Sequence, residues 1–332
     1  MRLRDRYTRK YLINRVASLI GILVVVLVIN FLLPHLEPGS FIQNYATIIA
    51  GQHHLPYSQV YLHLENIFGK PEPLPVAFVQ YIKEVLYTFP PNFGPSFQYY
   101  PLSAWSIVLG ALKWTLLLLG TSQAIAWGAS IFLGVYLALH KNQFIDRLLQ
   151  PAFYFLNSIP AFWLGLMFIF IFALDLRLLP PALAYQGSPT PYSVLTHMIL
   201  PLSVLIITTA PSHIMVIRSA AIDVIGSDFI AATKAQGLSN RRLLMRVMRN
   251  SLIPSITQMF LSVGYLIGGV ITVEYTFSYP GMGTIIAQAV TIEDFPIMLA
   301  AFYVVTLVVL FSNLAADLLY PVIDPRVSYA TE

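Results

Sequence analysis

Few residues in this chain have the types and spacing that enzyme chemistry requires. A P-loop that binds and splits ATP needs the pattern G-x-x-x-x-G-K-[ST], whose backbone N–H groups and lysine hold the phosphates. The single Gly-Lys pair, Gly69-Lys70, continues instead into Pro71. We therefore predict that this chain does not hydrolyse ATP, has no catalytic residue and binds no cofactor of its own.

The histidines are the next candidates for chemistry. None of the seven belongs to an H-E-x-x-H or similar metal-binding pattern. His53, His54 and His63 lie near Glu65, and we interpret them as solvated surface residues, with a weak metal contact as the alternative. The sequence therefore predicts no metal site.

Charged residues are missing from the centres of the long apolar segments, and Glu274 and Asp317 fall near segment ends. A transporter driven by an ion gradient usually buries a titratable group at mid-membrane, because coupling requires a charge whose protonation or ligation changes. The pattern disfavours a secondary transporter. Energy for any transport must then come from a partner.

One segment, residues 228–254 (DFIAATKAQGLSNRRLLMRVMRNSLIP), is strongly basic and lies between long apolar runs. Gly237-Leu238-Ser239 is typical of one helix ending and another beginning, with Ser239 or Asn240 as N-cap. The segment therefore predicts a helical hairpin at the membrane surface, able to sit in a groove of a soluble ATPase. A plain positive-inside loop is the alternative, although such a loop needs no turn and no apolar face. The basic residues are Lys234, Arg241, Arg242, Arg246 and Arg249, and the apolar face consists of Leu243, Leu244, Val247, Met248 and Leu252.

The composition of the whole chain is that of a membrane protein. The chain has 332 residues, of which 57% are apolar and only 10% charged, and its mean hydropathy is +0.71. That is too little charge for a soluble domain of this size. The sequence pI near 9.1 does not indicate nucleic-acid binding, because the basic residues flank apolar segments.

Six apolar segments are long enough to cross about 30 Å of hydrocarbon. We therefore predict an all-α membrane protein with six transmembrane helices. The predicted spans are residues 16–34, 105–138, 151–174, 194–216, 256–273 and 298–322.

The segments between the spans complete the predicted organisation. Residues 1–15 should form a cytoplasmic interfacial helix. Residues 35–104 should form a large extracytoplasmic insertion, polar and irregular except for a short amphipathic helix at 75–87. Residues 105–332 should form a transmembrane core that contains spans two to six, with a second short helix at 284–290 on its outer surface.

The distribution of basic residues predicts the orientation. With both termini in the cytoplasm, fifteen of the nineteen Lys and Arg residues lie on the inner side. This asymmetry is what the positive-inside rule requires.

Two breaks in the apolar pattern are candidate functional elements. Ser158 and Pro160 interrupt the third span, where a proline removes a backbone hydrogen bond and predicts a kink or pore wall, a simple packing kink being the alternative. A turn pattern follows the fifth span. It contains Glu274, Phe277, Tyr279, Pro280, Gly281 and Gly283.

Several of these segments resemble a known family. Besides residues 228–254, they are SIPAFWLG at 158–165, EYTFSYPGMG at 274–283 and DLLYPVIDPR at 317–326. Together they resemble the integral membrane permeases of ABC importers, in the form found in the dipeptide, oligopeptide and nickel branch. The resemblance covers nearly the whole chain.

The resemblance assigns roles to particular positions. Residues 228–254 correspond to the cytoplasmic loop that couples such permeases to their ATPases, and the outer Tyr-Pro-Gly turn implies an outer gate or binding-protein face, with an ordinary turn as the alternative. This chain reads Ala231-Ala232-Thr233 where the broader family has Glu-Ala-Ala, which puts a specific glutamate contact to the ATPase in doubt. The matching positions of the loop are Asp228, Ala232, Gly237, Leu238, Ser239, Arg246, Asn250 and Pro254.

The resemblance also implies a function and partners. It implies a multi-pass cell-membrane subunit that imports peptides by alternating access, with an oligosaccharide or nickel importer of the same branch as alternative. A non-transporting scaffold or sensor subunit that docks an ATPase is an alternative from another class. The implied partners are a second permease subunit or a copy of this chain, two ATPases that bind ATP and Mg²⁺, and an extracytoplasmic solute-binding protein.

Overall fold

The computed structural model describes residues 2–35, 41–68, 73–181, 190–228, 230, 232, 236 and 240–323. Within the helices, side chains are not described at residues 2–12, 41, 44, 48, 52, 53, 66–68, 240, 253–255, 257–267 and 319–323. Across the described ranges the chain is almost entirely helical, and no strand forms there beyond an isolated bridge between Pro95 and Ser103. The structure is therefore that of an all-α protein, as predicted.

Eleven helices follow one another through the described chain. The chain divides into two compact units, residues 1–110 with 285–310, and residues 111–284 with 311–332. The helices are α1 (Arg2–Leu32), α2 (Phe41–His53), α3 (Tyr57–Phe68), α4 (Leu74–Leu86), α5 (Ala104–Leu139), α6 (Phe144–Ser158), α7 (Ala161–Asp175), α8 (Pro191–Ile225), α9 (Asn240–Thr276), α10 (Met282–Ile292) and α11 (Phe295–Ile323).

The first unit has an aromatic core beside α1. Leu27, Val85 and Tyr303 are buried together. The Tyr303 ring centroid lies 5.5 Å from that of Phe93 and 6.5 Å from that of Trp105. Contacts of this kind contribute about 0.5–1.5 kcal/mol beyond the burial of area, so they help to hold α11 against Phe93 and the start of α5.

Residues 35–104 are more regular than the sequence analysis predicts. This region was expected to be irregular outside one short helix, but it contains α2, α3 and α4. The prediction of irregularity was wrong because α2 and α3 are amphipathic and bury Ile42, Ala46, Val60 and Leu64 against each other.

The end of this region is fixed to the start of α11 through a buried carboxylate. Asp294 accepts hydrogen bonds from Ser96 Oγ at 2.6 Å and from the backbone N–H of Gln98 at 3.1 Å. It also accepts from the backbone N–H of Ile297 at 3.3 Å, as an N-cap does. One residue therefore caps α11 and positions the chain that precedes α5.

The second unit packs α5 and α8 closely. A Cβ atom at Gly134 of α5 would lie 2.9 Å from Ile214 O and from Ile217 Cβ of α8. Glycine lets the two backbones approach, as small residues do between membrane helices. Leu118, Val204, Val270 and Tyr279 share one buried cluster of this unit.

Four helices in the described chain are long and apolar enough to cross a membrane. They are Ile13–His35, Ala104–Leu139, Pro191–Ile225 and Phe295–Leu318. A fifth is present if the bent pair α6 and α7 counts as one span. The predicted span at 256–273 lies in α9, where most side chains are outside the described set.

The third predicted span differs in shape from a kinked helix. α6 ends at Ser158, α7 begins at Ala161, and the two are bent by 94°. Ile159 and Pro160 both have extended backbone, with ψ of 125° and 130°. Because two successive residues leave the helical conformation, the helix breaks, and a single missing hydrogen bond does not describe it.

Two helix boundaries that the sequence analysis predicts do not occur in the structure. α1 is one helix from Arg2 to Leu32, with no break between the predicted interfacial segment and the first span. α9 is one helix from Asn240 to Thr276, so the second helix of the predicted hairpin and the fifth span are continuous through position 254. The carboxyl-terminal residues 324–326 of the family motif lie outside the described residues.

Candidate functional site

A cavity of about 260 Å³, lined mostly by apolar atoms with several polar side chains among them, lies within the second unit. Helices α5, α6, α7, α8 and α9 all contribute to its wall. None of its lining residues is Asp, Glu, Lys or Arg within the described chain. The lining is Gln123, Asn157, Ala161, Leu205, Thr208, Thr209, Ser212, His213, Gly269 and Val270.

Gln123 of α5 and His213 of α8 form a buried pair at this cavity. His213 Nε2 and Gln123 Oε1 are 3.1 Å apart, so the ring N–H donates to the amide oxygen. The Trp127 ring stacks on His213 with a centroid distance of 4.2 Å and an interplanar angle of 21°. The stacking and the hydrogen bond together fix the orientation of the Gln123 amide, whose Nε2 is buried without a hydrogen-bond partner among the described residues.

Three hydroxyl groups of α8 line the same cavity. Thr208 donates to Val204 O at 2.9 Å, Thr209 to Leu205 O at 2.7 Å, and Ser212 to Thr209 O at 2.8 Å. Each hydroxyl proton is therefore used within the helix, and its lone pairs remain as acceptors. The hydroxyl oxygens of α8 are therefore the hydrogen-bond acceptors at this cavity, while the Gln123 Nε2 is buried.

The break between α6 and α7 borders this cavity. Asn157 and Ala161, on either side of the break, both line it. Ser158 itself is exposed and donates to Tyr154 O at 2.9 Å, and Pro160 is exposed. The structure thus places these two predicted residues beside the cavity, with the wall supplied by their neighbours.

The turn after α9 is organised by Glu274, which is fully buried. Its Oε2 accepts from the Gly283 backbone N–H at 2.7 Å, and its backbone carbonyl accepts from Tyr279 N at 2.8 Å and from Thr284 Oγ1 at 3.0 Å. The Met282 N–H donates to Thr115 Oγ1 at 2.8 Å, which ties the turn to α5.

The other predicted residues of this turn are buried or partly buried beside Glu274. Phe277 and Tyr279 are buried, Pro280 is partly buried, and Gly281 and Gly283 are buried. A Cβ atom at Gly281 would overlap the Glu274 carboxyl group. The structure therefore brings all six predicted residues of the turn together in one packed unit.

Replacing Glu274 tests how much this turn depends on its carboxyl group. Glu274→Ala should lower the free energy of unfolding by about 2–4 kcal/mol, because it leaves the Gly283 N–H buried without an acceptor and opens a cavity. Glu274→Gln keeps an acceptor oxygen and should lose about 1 kcal/mol or less. Thermal unfolding of the purified chain in detergent measures both, and equal losses would contradict the role of the oxygen.

The described part of the segment 228–254 is anchored to the second unit through apolar side chains. Ile230 and Val247 are buried in one cluster with Trp127, Val135 and Ile217. The predicted residues Asp228 and Ala232 are exposed, and Arg246 and Asn250 are partly buried, with Asn250 Nδ2 donating to Arg246 O at 2.8 Å. Gly237, Leu238 and Ser239 lie outside the described residues, as does the side chain of Pro254.

An ion pair joins α6 to the end of α8 that leads into this segment. Arg218 Nε donates to Asp146 Oδ1 at 2.7 Å and Arg218 Nη2 donates to Asp146 Oδ2 at 2.8 Å. Asp146 is fully buried, and the Arg218 side chain is 12% exposed. Asp146 Oδ2 also accepts from the Asn142 N–H at 2.9 Å, so the pair holds the loop between α5 and α6 as well.

The sequence analysis did not predict Gln123, His213 or the Asp146–Arg218 pair. A signal was present for the first two, since a Gln and a His inside apolar helices must find partners or face a cavity. For Asp146 the only signal was an acid in a basic loop. No pattern of sequence spacing predicts that Asp146 pairs with Arg218, which lies 72 positions later.

The comparison with known proteins identifies the class. Residues 130–329 match the family described as "Binding-protein-dependent transport system inner membrane component". The chain is 32% identical over 323 residues to the glutathione transport system permease protein GsiC of Salmonella paratyphi A, covering 96% of this chain and 99% of that protein. It is 27% identical over 324 residues to a putative peptide permease protein of Brucella suis, covering 96% and 98%. It is 26% identical over 322 residues to the metal-staphylopine import system permease protein CntB of Staphylococcus aureus, covering 96% and 97%.

The helices of spanning length and the family match together define the class as a multi-pass membrane permease. The chain belongs to the family of inner-membrane components of binding-protein-dependent transport systems. It is thus an ABC-importer permease of the peptide and nickel branch, and the resemblance described above is confirmed. A permease component of this kind is not itself an enzyme.

Proposed function

We propose that this chain imports peptides, forming half of a translocation pathway that opens alternately to the two sides of the membrane. The observation that carries the substrate class is the uncharged cavity lined by hydrogen-bonding groups from α5, α6 and α8. Such a wall offers amide-binding groups without a fixed charge that would select one side chain. Relatives named as glutathione and peptide permeases support the same class.

The proposed assembly contains a second permease subunit or a second copy of this chain, two cytoplasmic ATPases and an extracytoplasmic solute-binding protein. In this proposal the permease has six spans with both termini in the cytoplasm. Residues 1–15 form the interfacial segment, 16–34 the first span, 35–104 the outer insertion, and 105–332 the core. The turn at 274–283 then lies at the outer gate, near the binding protein.

Energy reaches the permease through residues 228–254 in this proposal. Burial of Ile230 and Val247 beside Trp127 and Ile217 supports it, because movement of an anchored segment is passed directly to α5 and α8. Exposed Asp228 and Ala232 are available to a partner. The ATPases bind ATP and Mg²⁺, and closure of their groove moves the attached helices.

Uptake of labelled peptides by vesicles that contain the whole importer tests both proposals. The wild-type complex should accumulate alanine peptides of two to five residues only with ATP. Gly237→Pro should abolish this uptake while membrane insertion survives, because proline cannot adopt the left-handed conformation predicted for the turn.

Gly237→Asn is the matched control, since asparagine tolerates the left-handed conformation, and it should keep most of the uptake. Equal uptake by the proline variant and the wild type would contradict the coupling role. ATP-independent flux would instead indicate a channel, and ATPase docking without any uptake would indicate a scaffold.

A further inference from the structure

Helix α4 packs against two helices of spanning length, well inside their ends. Its residue Val85 is buried with Leu27 of α1 and Tyr303 of α11. Leu27 lies eight residues before His35, where one of these helices ends, and Tyr303 lies eight residues after Phe295, where the other begins. Each separation corresponds to about 12 Å along a helix axis. Because one leaflet contributes about 15 Å of hydrocarbon, both helices place Val85 at the depth of a lipid leaflet.

α4 runs along α1 toward this depth. The centroid of the Phe78 ring lies 5.1 Å from that of Phe31, edge to face, and the Tyr81 centroid lies 5.7 Å from it. Phe31 is four residues from the end of its span, whereas Leu27, beside Val85, is eight residues from it. The chain therefore goes deeper from Phe78 to Val85.

The chain then turns and returns to the level at which α11 begins. Phe93 packs on Tyr303, with 5.5 Å between ring centroids. Ser96 Oγ donates to Asp294, the residue directly before α11, at 2.6 Å. All of these residues belong to the first unit. Residues 78–96 therefore form a re-entrant hairpin, referred to below as the 78–96 hairpin.

The tip of the 78–96 hairpin is aromatic and uncovered. Tyr87 is 83% exposed and Phe89 is 98% exposed. Over the same depth α1 also exposes apolar side chains, namely Val25, Val28 and Ile29. Aromatic residues are enriched where a membrane protein meets the boundary between headgroups and acyl chains. The depth and the chemistry of the tip thus both favour contact with lipid.

The backbone of the tip is suited to an environment without water. Lipid requires that backbone polar groups find partners within the protein. The Tyr87 N–H donates to Lys83 O at 2.9 Å. Pro90 and Pro91 have no N–H that would need an acceptor.

Two charged residues limit how deep the hairpin lies. Asn92 Nδ2 donates to the Glu84 carboxylate at 2.9 Å, so this charge has a partner within the hairpin. Lys83 is exposed, and its long aliphatic stem can carry the ammonium group to the lipid phosphates. Amphipathic segments at this boundary bury their apolar face by about 5–10 Å, which fits the hairpin better than the bilayer centre does.

We propose that the 78–96 hairpin is a membrane anchor, whose tip residues Tyr87 and Phe89 insert among the acyl chains of the outer leaflet while Lys83 lies at the phosphates. The partner is the lipid surface itself. A part of residues 35–104 is then embedded in the membrane. The inference takes from the proposed function only the orientation, which decides the leaflet, and no part of it depends on the transported substrate.

Spin labels on single cysteines test the depth of the tip. The chain contains no cysteine, so an introduced one is the single labelling site in this subunit. Phe89→Cys is labelled in the intact importer, with partner subunits freed of cysteine, in phosphatidylcholine nanodiscs. Collisions with oxygen, which concentrates in lipid, and with a water-soluble nickel chelate are then measured by electron paramagnetic resonance.

The label at Phe89→Cys should collide mainly with oxygen, as should a label at Ile29→Cys on the exposed side of α1. Leu62→Cys is the matched control, because Leu62 is also an exposed apolar residue of the 35–104 region but lies on α3, which packs on α2. Its label should collide mainly with the nickel chelate. The ratio of the two collision rates should differ severalfold between Phe89→Cys and Leu62→Cys.

A second reporter tests the contribution of the aromatic tip. A label at Tyr87→Cys should also collide mainly with oxygen, and it gives the same measurement if Phe89→Cys lowers the yield of importer. Adding Phe89→Asp should shift the collisions of this label severalfold toward the nickel chelate, because a carboxylate is costly among acyl chains. Phe89→Leu keeps an apolar tip and should leave the collisions unchanged.

Two results would overturn the anchor. Labels at both tip positions that collide mainly with the nickel chelate would place the tip in water. Labels shielded from both reagents would place it against another subunit. Neither result depends on uptake, so an importer that accumulates peptide with its tip in water rejects the anchor alone, and one that accumulates none with its tip in lipid rejects peptide import alone.

Discussion

Gly283→Ala is expected to prevent the turn between α9 and α10 from forming. A Cβ atom at this position would overlap the Ile271 carbonyl oxygen, lie 2.5 Å from Ile271 Cα and lie 2.8 Å from the Ile271 carbonyl carbon. All of these are backbone atoms of α9, which cannot rotate away as a side chain could. We expect a loss of about 3 kcal/mol or more in the free energy of unfolding.

The measurement is thermal unfolding of the purified chain, together with the amount of folded protein in the membrane. Gly120→Ala is the control, because a Cβ there meets nothing within 4 Å and alanine favours the helix by about 1 kcal/mol. Gly281→Ala should fall between the two, since its clash is with the Glu274 side chain. A Gly283→Ala variant as stable as the control would show that Gly283 is not held against the Ile271 backbone as described.

Asp146→Ala is the second substitution from which we expect a large loss. It removes one partner of a buried, doubly hydrogen-bonded ion pair and leaves the Arg218 guanidinium largely buried and unpaired. Breaking such a pair costs about 3–5 kcal/mol. ATP-driven uptake should fall with stability, because α6 is no longer fixed to the end of α8.

A double replacement distinguishes the cost of leaving Arg218 unpaired from the cost of lost side-chain packing. Asp146→Leu with Arg218→Met removes both charges and should recover most of the stability, as apolar replacements of buried ion pairs do. Arg147→Ala, at the exposed neighbouring position, should change the free energy of unfolding by about 0.5 kcal/mol or less. If the double variant were as unstable as Asp146→Ala, the loss would lie in packing and not in an unpaired charge.

Much of the helical organisation was accessible from the sequence. The predicted spans at 16–34, 105–138, 194–216 and 298–322 each fall within or close to a helix of spanning length in the structure. Runs of apolar residues report a local property, transfer of a segment into lipid, so a window of the sequence suffices to find them. The family was likewise recognised from short motifs and is confirmed by the match over residues 130–329.

The sequence predicted less well the break between α6 and α7 and the presence of the amphipathic helices α2 and α3. The 94° break between α6 and α7 exceeds what one proline in a span predicts, because Ile159 leaves the helical conformation as well. The helices α2 and α3 were missed because each stabilises the other, and neither is strongly apolar alone. Propensity is a weak guide where tertiary packing supplies most of the helix stability.

The class of protein, its apolar segments and its lack of a P-loop motif can all be read from the amino-acid sequence. The pairing of buried polar groups, such as Gln123 with His213 across 90 positions and Asp146 with Arg218 across 72, is visible only in the folded chain. Membrane helices are apolar on most sides, so their sequences carry little signal for which face turns inward. A buried hydrogen bond exists only once two such faces are packed together.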